Sequence, residues 1–437
     1  HVFFVVRDDA GRSPILFQTS DTTWQAYNSY GGTSLYKDTK FGRDRAYKVS
    51  YNRPVNTRVE SPSSWVFNAE YPMVRWLEAN GFHVSYFTGV DSERRGAKLL
   101  EHKVFLSVGH DEYWSAEQRT RVEAARDAGV NLAFFSGNEV FWKTRWEASI
   151  DGANTPYRTL VCYKETHANA KIDPTPAWTG SWRDPRFSPP ADGGRPENAL
   201  TGTLFAVNDG STSAITVSEI FSRLPFWRNT RVATLASGQT TTLPFGTLGY
   251  EWDEDLDNGF RPAGLIRLSS TTLLVSTYLL DYGSTYGSGT ATHSLTLYRA
   301  ASGALVFGAG TVQWSWGLDS EHEFGPSTTD LAMQQATINL LADMAVQPAA
   351  LQPGLVVARR TCPCTIWSNA ATPAIASQDD LQPVEVGVRF RAEVDGYITG
   401  LRFYKGPANT GTHIGNLWTG AGTLLASVSF TGETGSG

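Results

Sequence analysis

Residues 103–114, KVFLSVGHDEYW, join an apolar run directly to a cluster of ionisable and aromatic side chains. Val104 through Val108 is a short apolar run with the length and composition of a buried parallel strand. Gly109 breaks the strand, and His110, Asp111, Glu112, Tyr113 and Trp114 follow at once. Ser115 with Gln118 three residues later spells a capping box, which predicts a helix through Ala128 that stops at Gly129. Three ionisable side chains therefore sit on the turn at the carboxyl end of a strand, where open α/β sheets bind ligands.

Working outward toward the N-terminus, residues 1–20 predict two strands, HVFFVVR and PILFQTS. An aromatic, polar loop over 21–58 follows, carrying Tyr27, Tyr30, Tyr36, Tyr47 and Tyr51. A helix over 70–80 with Gly81 as its stop, a strand over 82–87 and a short helix over 91–100 lead back to the starting stretch. In the other direction, 130–135 is a second buried strand ending in Ser136-Gly137-Asn138-Glu139, where a further helix is expected to begin. Strands alternating with helices of roughly 10–15 residues imply a parallel sheet covered on both faces.

Over about 145–310 the character changes to short β-type runs (among them GTLFAV, TLLVSTYLL and ALVFGAG) separated by Gly, Pro, Asn and Asp clusters. This reads as a β-rich insertion in an α/β domain spanning 1–345. The spacing of Leu331, Met333, Ala336, Ile338, Leu340, Leu341 and Met344 predicts an amphipathic helix over 327–344 that closes the domain. Residues 346–361, with Pro348 and Pro353, read as a linker, and 362–437 as a small separate β-sandwich.

Composition narrows the function. The chain has 437 residues, 41% of them hydrophobic, enough for a full core and about two or three domains. A net charge of -6 without a basic run argues against nucleic acid and anionic membrane as partners. No apolar run approaches the roughly 20 residues of a transmembrane helix. The chain starts inside a strand-like run and ends in a Gly/Ser phrase, so both ends are expected to be cut from a longer polypeptide. Cysteine is scarce: Cys162 is alone, and Cys362-Pro363-Cys364 lacks the further ligands of a zinc site, leaving a local disulfide or free thiols.

The turn at His110 holds no nucleophilic Ser or Cys, no G-x-S-x-G occurs, and Cys162 falls in the β-rich region. Gly31-Gly32 and Gly287-Ser288-Gly289 lack the setting of a phosphate loop. Water activated by a metal or by carboxylates is the remaining chemistry. His110 and Glu112, two apart, can face one pocket. The competing reading has Glu112 capping the next helix and His110 bonded in the core.

Four phrases carry a resemblance: DTTWQAYNSYGG (21–32), YKVSYNRP (47–54), GHDEYW (109–114) and SGNEVFW (136–142). Together they resemble the catalytic region of the N,N-dimethylformamidase large subunit and related domains of secreted bacterial proteins, over roughly residues 15–345. The resemblance implies a glutamine-amidotransferase-like (flavodoxin-like) α/β fold without the cysteine nucleophile, and one ferric iron (Fe3+) held by two tyrosines and a glutamate. The glutamate matches Glu112, the first tyrosine Tyr27 and the second Tyr51, with Tyr30 as its substitute. A pocket asparagine matches Asn138, which could instead cap a helix, and a pocket glutamate matches Glu251. Phenolate and carboxylate are hard donors suited to ferric iron. His110 or Glu251 would take a proton from water, and Asn138 would donate to the developing oxyanion.

The acidic run Glu251, Asp253, Glu254, Asp255 and Asp257 lacks calcium-loop spacing, and Glu321-His322-Glu323 reads as surface. The tail resembles a bacterial β-sandwich module of unassigned function found beside extracellular catalytic domains, and by analogy it is expected to contact a cell surface or polysaccharide or to space domains apart. The expectation is a secreted, iron-dependent hydrolase of an amide C–N bond in a small or polymer-linked substrate. Its rival is a non-catalytic or glycan-binding protein that uses its 14 Trp and 17 Tyr to hold polysaccharide.

Overall fold

The computed structural model describes residues 4–37, 42, 44–187, 194–208, 210–358, 366–367, 371–377, 384–390, 398 and 400–435. Five parallel strands form its centre, in the spatial order Val84–Thr88, Ile15–Thr19, Val104–Gly109, Asn131–Ser136 and Leu305–Gly308. Numbered along the chain the order is 2-1-3-4-5, so the winding reverses between Ile15–Thr19 and Val104–Gly109. Two antiparallel strands, Thr296–Arg299 and Ile266–Arg267, continue the sheet beyond Leu305–Gly308.

Both faces of this sheet are covered, which is why its strands are apolar without alternation. On one face Phe17, Leu106 and Phe135 pack with Trp76 and Leu77 of helix Glu70–Ala79 and with Met333 and Leu341 of helix Leu331–Asp343. On the other, Leu16, Phe105 and Phe134 pack with Val122 and Ala125 of helix Ala116–Asp127. That helix opens on the Ser115/Gln118 capping box, both halves of which form, and Gly129 follows it at φ +102°. The mixed α/β architecture with a parallel sheet is as the sequence implies.

Several expectations are corrected. Residues 4–13 form no strand; Phe4 and Val6 are 73% and 74% exposed, and residues 1–3 lie outside the described residues. The tyrosine-rich loop contains helix Asp21–Tyr27 and strand Lys48–Ser50. No helix starts at Asn138: Asn138 and Val140 take φ of +48° and +56°, and the chain turns into strand Trp142–Glu147. The closing helix is not one-sided, since residues 332–341 are all buried and its polar side chains bond inward, Asn339 to the carbonyls of Phe226 and Arg228. ALVFGAG supplies the fifth parallel strand and so belongs to the main sheet.

The rest of the β-rich stretch builds a closed four-stranded barrel from Leu204–Asn208, Glu251–Glu254, Thr271–Leu279 and Tyr286–His293. A second sheet joins Lys48–Ser50, Thr159–Val161, Trp142–Glu147 and Tyr113–Ser115. The chain divides into two compact units, 1–359 and 360–437. In the second the described residues form a hairpin of Ile414–Trp418 and Leu424–Ser429. Part of the stretch read as a sandwich, with Cys362 and Cys364, lies outside the described residues. No helix among the described residues is long and apolar enough to cross a membrane.

Leu106 is fully buried in the central strand, whereas Leu274 is 87% exposed. Leu106→Ala should cost about 2–5 kcal/mol in chemical denaturation, and Leu274→Ala less than about 0.5 kcal/mol. Equal effects at the two positions would contradict this packing.

Candidate functional site

The reversal point of the sheet is where two strand ends open beside each other. Ile15–Thr19 runs through Ser20 into helix Asp21–Tyr27, and Val104–Gly109 runs into His110, Asp111 and Glu112. Buried Glu70 ties down the first turn by accepting from the Ser20 amide at 3.2 Å and the Trp24 indole at 2.9 Å. The Glu112 amide donates to Thr23 Oγ1 at 3.0 Å, which pins the two segments together. Gly109 sits at φ +82°, and a Cβ there would stand 3.0 Å from Ala69 Cβ, so the turn requires glycine.

This framework brings three oxygen-bearing side chains together. The Tyr27 hydroxyl lies 3.4 Å from Glu112 Oε2, and the Tyr36 hydroxyl lies 3.0 and 2.8 Å from Oε1 and Oε2. The two phenol rings stack with centroids 4.2 Å apart, and Tyr113 donates to the Tyr36 hydroxyl at 2.6 Å. Burial first, then the Glu112 charge, holds both phenols well above their usual range, so without a cation they remain protonated donors.

A second group flanks them. His110 Nε2 is 2.9 Å from Glu251 Oε2 and 3.5 Å from Glu112 Oε2. Asn138 Nδ2 donates to Glu251 Oε2 at 2.9 Å and lies 3.2 Å from His110 Nε2. Burial alone would lower His110, but Glu251 and Glu112 raise it to about 9. Glu251 is held below the usual carboxylate range although burial opposes this, because His110 and Asn138 favour its charge. The Asn138 amide nitrogen is thus engaged, while its Oδ1 has no partner among the described residues. Its left-handed backbone is fixed by its own N–H donating to Asp253 Oδ1 at 2.8 Å.

Of the residues singled out in the sequence, Tyr27, His110, Glu112, Asn138 and Glu251 meet here. Tyr51 does not join them: its hydroxyl donates to Asp21 Oδ2 at 2.9 Å and its ring packs edge-on to Trp146. Tyr30, the substitute, is exposed. Tyr36 occupies the second phenol position, and its place in a five-tyrosine segment was its only signal. Lys164 is a further member with no sequence signal. Its ammonium lies 3.3 Å from the Tyr36 ring centroid and 4.7 Å from that of Trp142, and has no hydrogen-bond partner among the described residues. Burial lowers Lys164 to about 8 even though Glu112 favours its charge.

The other candidates resolve elsewhere. Asp255 pairs with Arg261 and Arg267, and Glu254 accepts from Tyr278, so the acidic run is not a cation loop. Glu323 pairs with Arg58, and His322 stacks on Trp316. Cys162 is buried, and burial raises its thiol to about 12, which argues against a nucleophile. Among the described residues no group of three or more His, Cys, Asp and Glu is arranged to hold a metal ion. A centre of two phenols and one carboxylate is a different donor set.

Fold and site together define an α/β protein with a buried polar centre at the switch point of its sheet. Residues 1–328 match the family model described as N,N-dimethylformamidase beta subunit-like, C-terminal, and the chain belongs to that family. Residues 370–437 match the model of a domain of unknown function. The N,N-dimethylformamidase beta subunit of Alcaligenes sp is 30% identical over 139 residues, and that of Paracoccus aminophilus 28%. Each match covers 30% of this chain and 18% of the relative's length.

Asp253 supports Asn138 from behind, and its own carboxyl carries a testable sign. Burial raises it to about 7, against the bonds from Asn138 and Thr203. Between about pH 4 and 7 the folded chain therefore keeps a proton that the unfolded chain releases, and this group subtracts stability as pH rises through that window. Thermal melts should show wild type losing ground to Asp253→Asn from about pH 4.5 to 7.5. Parallel melting curves would mean that Asp253 is ionised throughout.

Proposed function

We propose that this chain is an amide hydrolase that cleaves a C–N bond on a single ferric ion held by Tyr27, Tyr36 and Glu112. One observation carries the reading: two phenol hydroxyls from the 27–36 segment converge on one buried strand-end carboxylate. Family membership supports the reaction class, and the names of the dimethylformamidase subunits suggest amides as substrates. The donor set fits a hard trivalent ion, since phenolate and carboxylate oxygens are hard ligands and the ion's charge would displace the phenol protons. Tyr36 takes the role that the resemblance gave to Tyr51. The 2-1-3-4-5 strand order supports the glutamine-amidotransferase-like reading of the fold.

Bound there, the ion would supply Lewis acidity toward a carbonyl and toward water. The remaining chemistry belongs to the chain. Glu251, held by Asn138 and His110, would act as the general base for the attacking water. His110, kept protonated between two carboxylates, is the general acid for the departing nitrogen. Lys164 adds a positive charge over the Tyr36 ring that favours the ionised form of Glu112. Asn138 orients Glu251 and presents its free carbonyl oxygen, so the oxyanion role given to it by resemblance would need its amide to turn. Secretion is part of the same proposal and rests on the Thr-, Ser- and Trp-rich composition.

Purified protein should contain iron and show a visible tyrosinate absorption. Tyr36→Phe and Glu112→Ala should weaken or abolish that absorption, and Tyr51→Phe should keep it. Across a panel of small formamides and acetamides, Glu251→Gln and His110→Ala should each lower amine release by roughly 10²–10⁴-fold. A colourless, iron-free protein that hydrolyses amides undisturbed by a chelator would overturn the iron centre. A protein with no amidase activity on any panel member would overturn the reaction class.

A further inference from the structure

A second concavity lies apart from the tyrosine centre, in the same compact unit. It is a cleft of about 480 Å³ lined by Glu93, Ser115, Thr144, Trp146, Pro156 and Tyr157, with neighbouring side chains. That volume is in the range of small-ligand sites. Its aromatic walls are Trp146 and Tyr157, whose ring centroids are 6.3 Å apart at 61°. Both rings are held in place. Trp146 is backed by Tyr51 at 5.0 Å. Tyr157 carries the Arg94 guanidinium on its ring at 4.9 Å, and its backbone sits at φ +60°, a strained conformation for a bulky residue.

The polar lining is specific in what it leaves open. Thr144 is 1% exposed, and its Oγ1 has no hydrogen-bond partner among the described residues. Glu93 accepts from the Ser115 hydroxyl, with no cationic partner among the described residues. The other charges are already answered: Arg145 by Asp173 and Glu147, Glu147 also by Lys48, and Glu117 by Arg121. Among the described residues the one cation lining the cleft, Arg145, is ion-paired, and the nearby Arg94, without an ion pair, is taken up by the face of the Tyr157 ring. The one lining carboxylate without an ion pair is already taken up by the Ser115 hydroxyl, a weak invitation to an ammonium ion. Aromatic faces beside a free hydroxyl and a carboxylate acceptor suit a neutral molecule with an apolar C–H face and several hydroxyl groups.

We propose that this cleft binds a saccharide unit, with the apolar face of a pyranose ring against Trp146 and Tyr157 and its hydroxyls on Thr144 and Glu93. The proposal stands whether or not the tyrosine centre is an amidase. The full chain is titrated calorimetrically with cellohexaose, xylohexaose, maltohexaose and chitohexaose, and separately with spermidine. At least one oligosaccharide should bind, with Trp146→Ala and Thr144→Val each weakening it by about tenfold or more. If Trp146→Ala does not give a native melting transition, Tyr157→Ala replaces it beside the volume-matched Thr144→Val. Absence of binding by all four sugars would overturn the proposal. So would sugar binding that these variants leave unchanged, or spermidine binding that Thr144→Val and Trp146→Ala abolish.

Discussion

A single buried carboxylate organises the functional end of this sheet. Glu112 is 3% exposed, and a charge so placed must be met by hydrogen bonds or opposite charge or else be lost. It is met from four directions: Tyr27 and Tyr36 from the segment after the first strand, His110 from its own turn, and Lys164 from beyond the second sheet. The unusual features nearby follow from this. The left-handed Lys164 backbone and the inward folding of Tyr36 both bring partners to a charge that water does not reach.

The carboxylates of the site divide into two kinds. Glu251 has His110 and Asn138 and is held low, whereas Asp111, Glu139 and Asp253 are pushed upward by burial, and Glu112 is raised too although His110 and Lys164 favour its charge. Asp111 and Glu139 share the Ser107 hydroxyl from the strand itself. Polar groups at strand ends thus serve two purposes here. One set faces the tyrosines, and the other fixes the turns that aim it, as Asp253 fixes Asn138 and the Asp111 carbonyl fixes Val140.

Legibility in the sequence followed locality. The strand, Gly109, the following acids and the Ser115 cap are contiguous, so the turn and its His110 and Glu112 were readable from a dozen residues. Glu251 and Asn138 came through resemblance, since nothing within their own segments points to His110. Choosing Tyr36 over Tyr51 depends on which ring the 28–50 connection folds inward, a matter of tertiary path that five tyrosines in one segment cannot reveal. Lys164 reads as an ordinary surface lysine until the Tyr36 and Trp142 rings are seen beside it. Leu305–Gly308 was hidden by distance, because a long β-rich excursion separates it from the strand it joins. The helix expected after Ser136 lost to hydrogen bonds that hold Asn138 and Val140 left-handed, a tertiary override of local preference.

The partners of the centre are far apart along the chain: Tyr36 and Glu112 by 76 residues, Tyr27 and Glu112 by 85, and Asn138 and Glu251 by 113. Contacts of that span carry a loop-closure cost and accumulate late in folding. A nascent chain therefore carries the two phenols in one segment but joins them to the Glu112 carboxylate only when the sheet forms. Assembly is all-or-none with respect to the sheet, and whatever occupies these oxygens adds its binding energy to the finished fold alone. Loading with a ligand would then slow unfolding more than it hastens folding, which makes occupancy a matter of lifetime more than of biogenesis.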